Sequence, residues 1–429
     1  MARLELINVQ SMKPVLSRNN RKIIWQETND YQLSRVPQIF FSDGEPWSSA
    51  NRYAIDQLNS GLKKNYKTVS SFMSHLKAYA SWLELEGVDW RYFPKKKKDR
   101  CLVRYRGFLV RQRDQGEIAP STATARMSSI VRFYHWAKLN GFIEKKELWE
   151  NKVNIVKFFT KEGLERTIAV NHTELSIPSR KPPGELLEGG LLPLSVRDRD
   201  TLLKFLLDNE KHELYLMFLI GFFTGARSET IRTLQISTLY NIQKDPLGTE
   251  IVRISVGPGT KVKTKYGVKG DILIPFQLIE QLKYYANSVR RLTRQSRSSG
   301  NDSATLFLTE RGNTYSDTSF TKLISDLRKE LISSGLLQFK HLKFHQSRAS
   351  FGTGLMQIVL DTLPRKSDAI VFVRDAMLHK NESTTWKYIR FIENEPIKAA
   401  LSDEFFDFFM GNDIGLNRNK VIDEVTYDS

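Results

Sequence analysis

The 429-residue sequence predicts a mainly α protein with one small antiparallel β-sheet, divided into a basic helical domain and a larger second domain. Three observations predict this. Apolar residues recur at three- and four-residue steps over much of the chain. One stretch alternates β-branched and polar residues on either side of a Gly/Lys-rich turn. Between two helical regions lies a segment crowded with proline and glycine.

Residues 1–47 show no strong periodicity and read as an extension of a few short elements. Helical patterning starts at Ser48. Over Lys67–Glu86, Val69, Phe72, Met73, Leu76, Tyr79, Ala80 and Leu83 form one apolar stripe, and Gly87 supplies a helix stop. Pro94 and the run Lys95, Lys96, Lys97, Lys98 make a basic loop, followed by a helix over about 101–115. Pro120-Ser121-Thr122 provides helix-start chemistry ahead of Met127, Ile130, Val131, Tyr134 and Trp136. Residues 48–160 therefore read as a helical bundle.

Residues 161–193 hold Pro178, Pro182, Pro183, Gly184, Gly189, Gly190 and Pro193 with little amphipathicity, and read as a linker. The second domain is expected over 194–400. It opens on Leu202, Leu203, Phe205 and Leu206, continues through the apolar run Leu214–Phe223, and then forms a hairpin from Ile251–Val256 and Asp271–Pro275. Beyond a polar break at Ser296–Ser303 it is helical again. Residues 401–429 form a tail with an aromatic cluster, Phe405, Phe406, Phe408 and Phe409.

The chain carries 65 Lys and Arg against 48 Asp and Glu, a net charge of +17. Most of the excess sits in residues 48–160, with 22 basic and 10 acidic residues. Such a one-signed helical domain attracts a polyanion through counterion release. Membranes are polyanions too, but Leu214–Phe223 is interrupted by Gly221 and too short to span a bilayer. With no apolar N-terminal leader and a single cysteine, Cys101, the sequence lacks a secretory signal, a disulfide framework and a cysteine-based zinc site. A cytoplasmic protein, nucleoid-associated and without a membrane partner, is the expectation. DNA contact is expected from Lys67, Lys95, Lys96, Lys97, Lys98, Arg126 and Arg132.

Four segments of the second domain carry candidate chemistry. Thr224-Gly225-Ala226-Arg227 releases an arginine at the end of the apolar helix. The hairpin turn holds Lys263 and Lys265. His345 and Arg348 are three apart, on one helix face. His379 precedes Tyr388 by nine residues, with Ser383 or Thr384 as a cap for a short helix carrying Tyr388. Each segment alone has a bland reading as surface charge, satisfied histidine or core tyrosine.

In this order they resemble the tyrosine recombinase (phage integrase) family. The shared features are the T-G-x-R turn at Thr224–Arg227, the hairpin lysine, His345-x-x-Arg348, and the Ser383-Thr384-Thr385-x-x-Tyr388 phrase with His379 upstream. The first domain, with Lys67-Thr68-Val69 and Arg132-Phe133-Tyr134-His135-Trp136, resembles the family's helical core-binding domain, so the resemblance spans about residues 50–395. Four departures stand out. Glu229 follows Arg227 by two residues rather than three. Ala349 occupies a position where histidine is common. Leu378 replaces the glycine before the later histidine. The hairpin turn is long, which leaves both Lys263 and Lys265 as candidates.

The resemblance implies a site-specific recombinase or integrase acting through a 3′-phosphotyrosyl link. Arg227 and Arg348 would clamp the phosphate with rigid donor forks that stay protonated. Tyr388, with an unperturbed pKa near ~10, needs activation to attack. His345 would act as general base, His379 as a phosphate donor, and the hairpin lysine as acid for the departing 5′ oxygen. No metal or other cofactor is called for. Implied partners are double-stranded DNA, a homotetramer assembled on two DNA sites, and accessory DNA-bending or partner recombinase proteins; the tail either docks on a neighbouring protomer or packs on its own domain. The same residues would suit a type IB topoisomerase or a telomere resolvase. A catalytically silent DNA-binding accessory protein is the reading from another class, and the intact residue set argues against it.

Overall fold

The computed structural model describes all residues except 17–22, 60–64, 146, 160–164, 179–186, 188–190, 245–249, 299, 381–383 and 393–429. The tail, its aromatic cluster and Ser383 lie outside the described residues. The chain divides into two compact units, Met1–Lys181 and the part from Pro182 onward.

The first unit opens not with short elements but with a long antiparallel pair, β1 (Arg3–Leu16) and β2 (Ile23–Phe40). Its base is anchored where Val36 and Ile39 are fully buried. Helices α1 (Ser48–Asn59), α2 (Tyr66–Glu86), α3 (Cys101–Asp114) and α4 (Pro120–Leu139) form the bundle. The Asn65 side chain caps α2 by accepting from the Lys67 N–H, and Gly87 ends it at φ +60°. The α2 stripe predicted from spacing is the face that packs: Val69, Met73, Leu76, Tyr79, Ala80 and Leu83 are buried. Around it gather Trp47, Tyr53, Trp82, Trp90, Tyr105 and Phe133. Two hydroxyls are paired inside this core: those of Tyr79 and Tyr134 lie 2.8 Å apart, and Tyr134 donates to the Trp90 carbonyl.

A second antiparallel pair, β3 (Asn151–Phe159) and β4 (Glu165–Thr173), follows the bundle. Its second strand lies inside residues 161–193, which the sequence alone reads as a linker. The composition there is β-branched but short of strict alternation, so a period-based reading passes over it.

The second unit has helices α5 (Val196–Asp208), α6 (His212–Thr224), α7 (Ser228–Arg232) and α8 (Ile236–Tyr240) before a three-stranded sheet. The sheet is β5 (Gln243–Lys244), β6 (Ile251–Val256) and β7 (Gly270–Pro275), antiparallel in that order. Then come α9 (Phe276–Ala286), α10 (Val289–Ser296), α11 (Asp317–Ser333), α12 (Gln346–Thr362) and α13 (Lys366–Ala376). Residues 384–392 form a final helical run. Helix α6 is apolar over most of its surface and buried from Leu216 to Phe222, as a central core helix should be. Helix α12 crosses it so closely that a Cβ added at Gly221 would stand 2.3 Å from Ser347 Oγ. That crossing brings the end of α6 and the start of α12 together.

Candidate active site

Helix α6 stops at Gly225, whose φ of +64° is the left-handed cap that glycine supplies. Thr224 tightens the turn: its hydroxyl donates to the Ile220 carbonyl and accepts from the Ala226 N–H. Arg227 emerges directly after this turn and is half-buried. Arg348 comes from the first turn of α12 and is only 2% exposed. One of its Nη atoms donates to the Gly225 carbonyl and the other to the Met377 carbonyl at 2.8 Å. Arg227 donates to the next carbonyl, that of Leu378, at 3.4 Å. Both guanidiniums therefore sit on the C-terminal end of α13, where the helix dipole favours positive charge.

These carbonyls are aimed by a tight cap. The Leu378 N–H donates to Asp375 O (3.1 Å) and the His379 N–H to Arg374 O (2.9 Å), the paired bonds of a Schellman turn. Leu378 takes the left-handed position at φ +50°, a conformation glycine adopts without strain and leucine does not. The departure from glycine noted in the sequence is thus a real backbone cost.

Arg227, Arg348 and Lys265 line one narrow crevice together with Thr264, Met377 and Leu378. Lys265 is exposed on the turn, its ammonium 5.2 Å from the Tyr266 ring centre. Lys263 lies outside the crevice lining; its side chain is exposed and its backbone N–H donates to Thr233 Oγ1 at 2.9 Å. His345 stands at the N-cap position of α12, one turn before Arg348, without a side-chain capping bond to the helix.

Tyr388 is fully buried. Its ring fills the space over Gly352, where an added Cβ would meet Cε1 at 2.5 Å. Gly352 is one helical turn after Arg348 on α12, so the phenol ring lies against the same helix face. The His379 ring lies near-parallel to Tyr388, centroids 6.0 Å apart, and His379 Nδ1 is 2.8 Å from Thr385 Oγ1. His379 and Thr385 are themselves buried.

Residues 194–395 match the phage integrase family over the stretch that contains all seven of these candidate residues. They form a phage integrase family domain.

No curated protein matches the chain. Solved structures similar to it include the Tn1549 transposon integrase in complex with circular intermediate DNA, at 14% identity and TM-score 0.47, covering 79% of this chain and 94% of that one. A lambda integrase dimer bound to a COC′ core site shares 13% identity at TM-score 0.46, covering 80% and 76%. XerA recombinase shares 15% identity at TM-score 0.34, covering 83% and 98%. Among the described residues no helix is long and apolar enough to cross a membrane.

Outside the integrase domain, the basic residues singled out from the sequence occupy different settings in the first unit. Lys67, Lys95, Lys96, Lys98 and Arg132 are exposed, and Arg132 lies over the Phe72 ring. Arg126 is half-buried. Lys97 is engaged by Glu150 (2.7 Å) and Glu174 (2.5 Å), and these hydrogen bonds raise its pKa.

Within the integrase domain, sequence reasoning passed over Thr385, Gly352 and the packing role of Leu378. Thr385 lies inside the Ser-Thr-Thr phrase already quoted, so its buried partner was the missing piece. It also passed over Arg291 and Arg294, whose guanidiniums tie α10 to the carbonyls of Thr305, Leu306 and Leu308. In a chain this basic, buried arginines have no sequence signature that separates them from surface ones.

Proposed function

We propose that this protein is a site-specific DNA recombinase that cuts and rejoins strands through a 3′-phosphotyrosyl link on Tyr388, serving the integration, excision or transposition of a mobile element. The observation that carries this reading is the convergence of Arg227, Arg348 and Lys265 on one crevice, with His379 and Tyr388 packed beside the helix that supplies Arg348.

The chemistry follows from the residue types. A phosphodiester entering the crevice meets two guanidiniums that are already oriented by carbonyl acceptors, so little reorganisation is needed as charge develops on the non-bridging oxygens. Tyr388 oxygen bonds to phosphorus, its proton passing to His345 as general base. The bond to the 5′ oxygen breaks, and Lys265 donates the proton that oxygen takes up. Of the two hairpin lysines, Lys265 is assigned this role because it lines the crevice. His379, aligned by Thr385, donates to the phosphate. Rejoining runs the same steps backward, so bond energy is conserved and no nucleotide is consumed.

Tyr388 has no exposed surface, so attack requires the helical run 384–392 to shift and bring the phenol toward the crevice. The DNA is held by exposed cations of the helical bundle, with Lys67, Lys95, Lys96, Lys98 and Arg132 as phosphate contacts. Lys97, already met by two carboxylates, serves the bundle's own structure. Recombination between two duplexes calls for a tetramer on two sites.

The test is covalent trapping. Full-length protein is incubated with a supercoiled plasmid carrying both flanks of its own gene, then denatured. A protein–DNA adduct that disappears in Tyr388→Phe is expected. DNA binding with no adduct from the wild-type protein, on plasmid or nicked duplex, would establish a silent accessory protein instead.

A further inference from the structure

We propose that Leu378 is a positioning residue that holds the lysine-bearing β6–β7 hairpin in register with the two arginines, making the proton donor and the phosphate clamp one rigid unit. The inference rests on the strand-cleavage reading above.

The backbone of Leu378 and its side chain make separate demands. The backbone turns the carbonyls of Met377 and Leu378 toward Arg348 and Arg227. At φ +50°, a glycine would make that turn with no steric penalty. A leucine there persists only if its side chain is held by packing elsewhere. That packing is visible: the side chain seats over Gly270, the first residue of β7, so tightly that a Cβ on Gly270 would stand 2.4 Å from Leu378 Cδ2. A Cβ at position 270 would push the end of this side chain out of its seat. Gly270 pairs with Val256 at the turn end of the β6–β7 ladder, where the turn carrying Lys265 closes. Leu378 also lines the crevice alongside Lys265 and Val268. One isobutyl group therefore joins the end of α13, whose carbonyls accept from the arginines, to the base of the turn, which carries the lysine.

The arginines depend on the carbonyls of this turn, and the lysine depends on the side chain. Leu378→Gly keeps the first and removes the second, and places the favoured residue in a left-handed position, so the domain should fold. The defect should then be confined to protonation of the leaving group. In normal cleavage the tyrosine oxygen bonds to phosphorus while the bond to O5′ breaks and O5′ takes a proton from Lys265. If sulfur replaces the bridging O5′, the phosphorus–sulfur bond breaks and sulfur departs as a thiolate, which needs no proton because a thiol pKa lies near ~8.5.

The experiment measures single-turnover adduct formation by full-length protein on two nicked duplexes built on the cleavage site that covalent trapping maps. They differ only in a 5′-bridging phosphorothiolate. Leu378→Gly is expected to act roughly 10- to 100-fold more slowly on the phosphate. On the phosphorothiolate it should act within about threefold of wild type, and Leu378→Met should restore the phosphate rate. Equal slowing on both substrates, or on neither, overturns the proposal. Wild-type protein that forms no adduct on either substrate overturns the strand-cleavage reading itself.

Discussion

Arg227 and Arg348, far apart in the chain, donate to the consecutive carbonyls of Leu378 and Met377 at the end of one helix. Backbone carbonyls thus help to place both cations. A carbonyl orients a guanidinium and leaves its charge in place.

The two arginines should respond differently to substitution. Arg348 is buried and satisfies the Gly225 and Met377 carbonyls. Arg348→Ala leaves both orphaned, at about 1–3 kcal/mol for each buried group, so stability and cleavage should fall together. Arg227 is half-buried, and Arg227→Ala should abolish cleavage with a stability change of less than ~1 kcal/mol. Urea unfolding alongside adduct formation separates the two cases.

Thr385 should matter through His379. Thr385→Val removes the hydroxyl that holds Nδ1 and leaves the ring free to misalign, which should slow adduct formation roughly 10- to 100-fold. Thr385→Ser retains the hydroxyl and should recover most of the rate. Loss of activity in both variants would point to packing of the threonine methyl instead.

Much of this site was legible in the sequence because its residues stand at fixed spacings on short elements. Gly225 after an apolar helix announces a turn, His345 and Arg348 share a helix face, and His379 and Tyr388 bracket one phrase. The α2 stripe and the β6–β7 hairpin were equally plain, because burial on one face writes its period into the sequence. What was not legible depends on contacts between distant segments. Leu378 over Gly270, and Tyr388 over Gly352, are meetings of residues that no local pattern links. The β1–β2 pair was missed for a different reason: most of it is solvated on both faces, so it carries no alternation to read.

Gly225 is a position where only glycine fits. Its φ is +64°, and a Cβ there would stand 2.4 Å from Phe351 Cδ1. Gly225→Ala should cost at least about 2 kcal/mol from the left-handed backbone and the clash together. It should also displace the carbonyl that holds Arg348. A lower urea midpoint with reduced cleavage is expected.

Glu213 gives the domain an acid-sensitive point. Burial raises its carboxyl, but the hydrogen bonds from Arg290 and the charge of Arg294 outweigh that and hold its pKa below the ordinary value. A depressed carboxylate contributes stability that is present above the unfolded pKa near ~4.3 and is lost as pH falls through the folded value. Glu213→Gln strands buried arginine charge and should cost about 3 kcal/mol at neutral pH. The gap between variant and wild type should narrow below about pH 4.3, as followed by urea unfolding at several pH values.

The most direct test of the central claim is to locate the covalent bond. A nicked duplex carrying the mapped cleavage site is labelled on one strand at its 5′ end, cleaved by full-length protein and digested with trypsin. The labelled DNA should be attached through its 3′ phosphate to the peptide containing Tyr388, and His379→Ala should lower the yield without moving the attachment. A link to any other residue, or to the 5′ side of the break, would contradict the account.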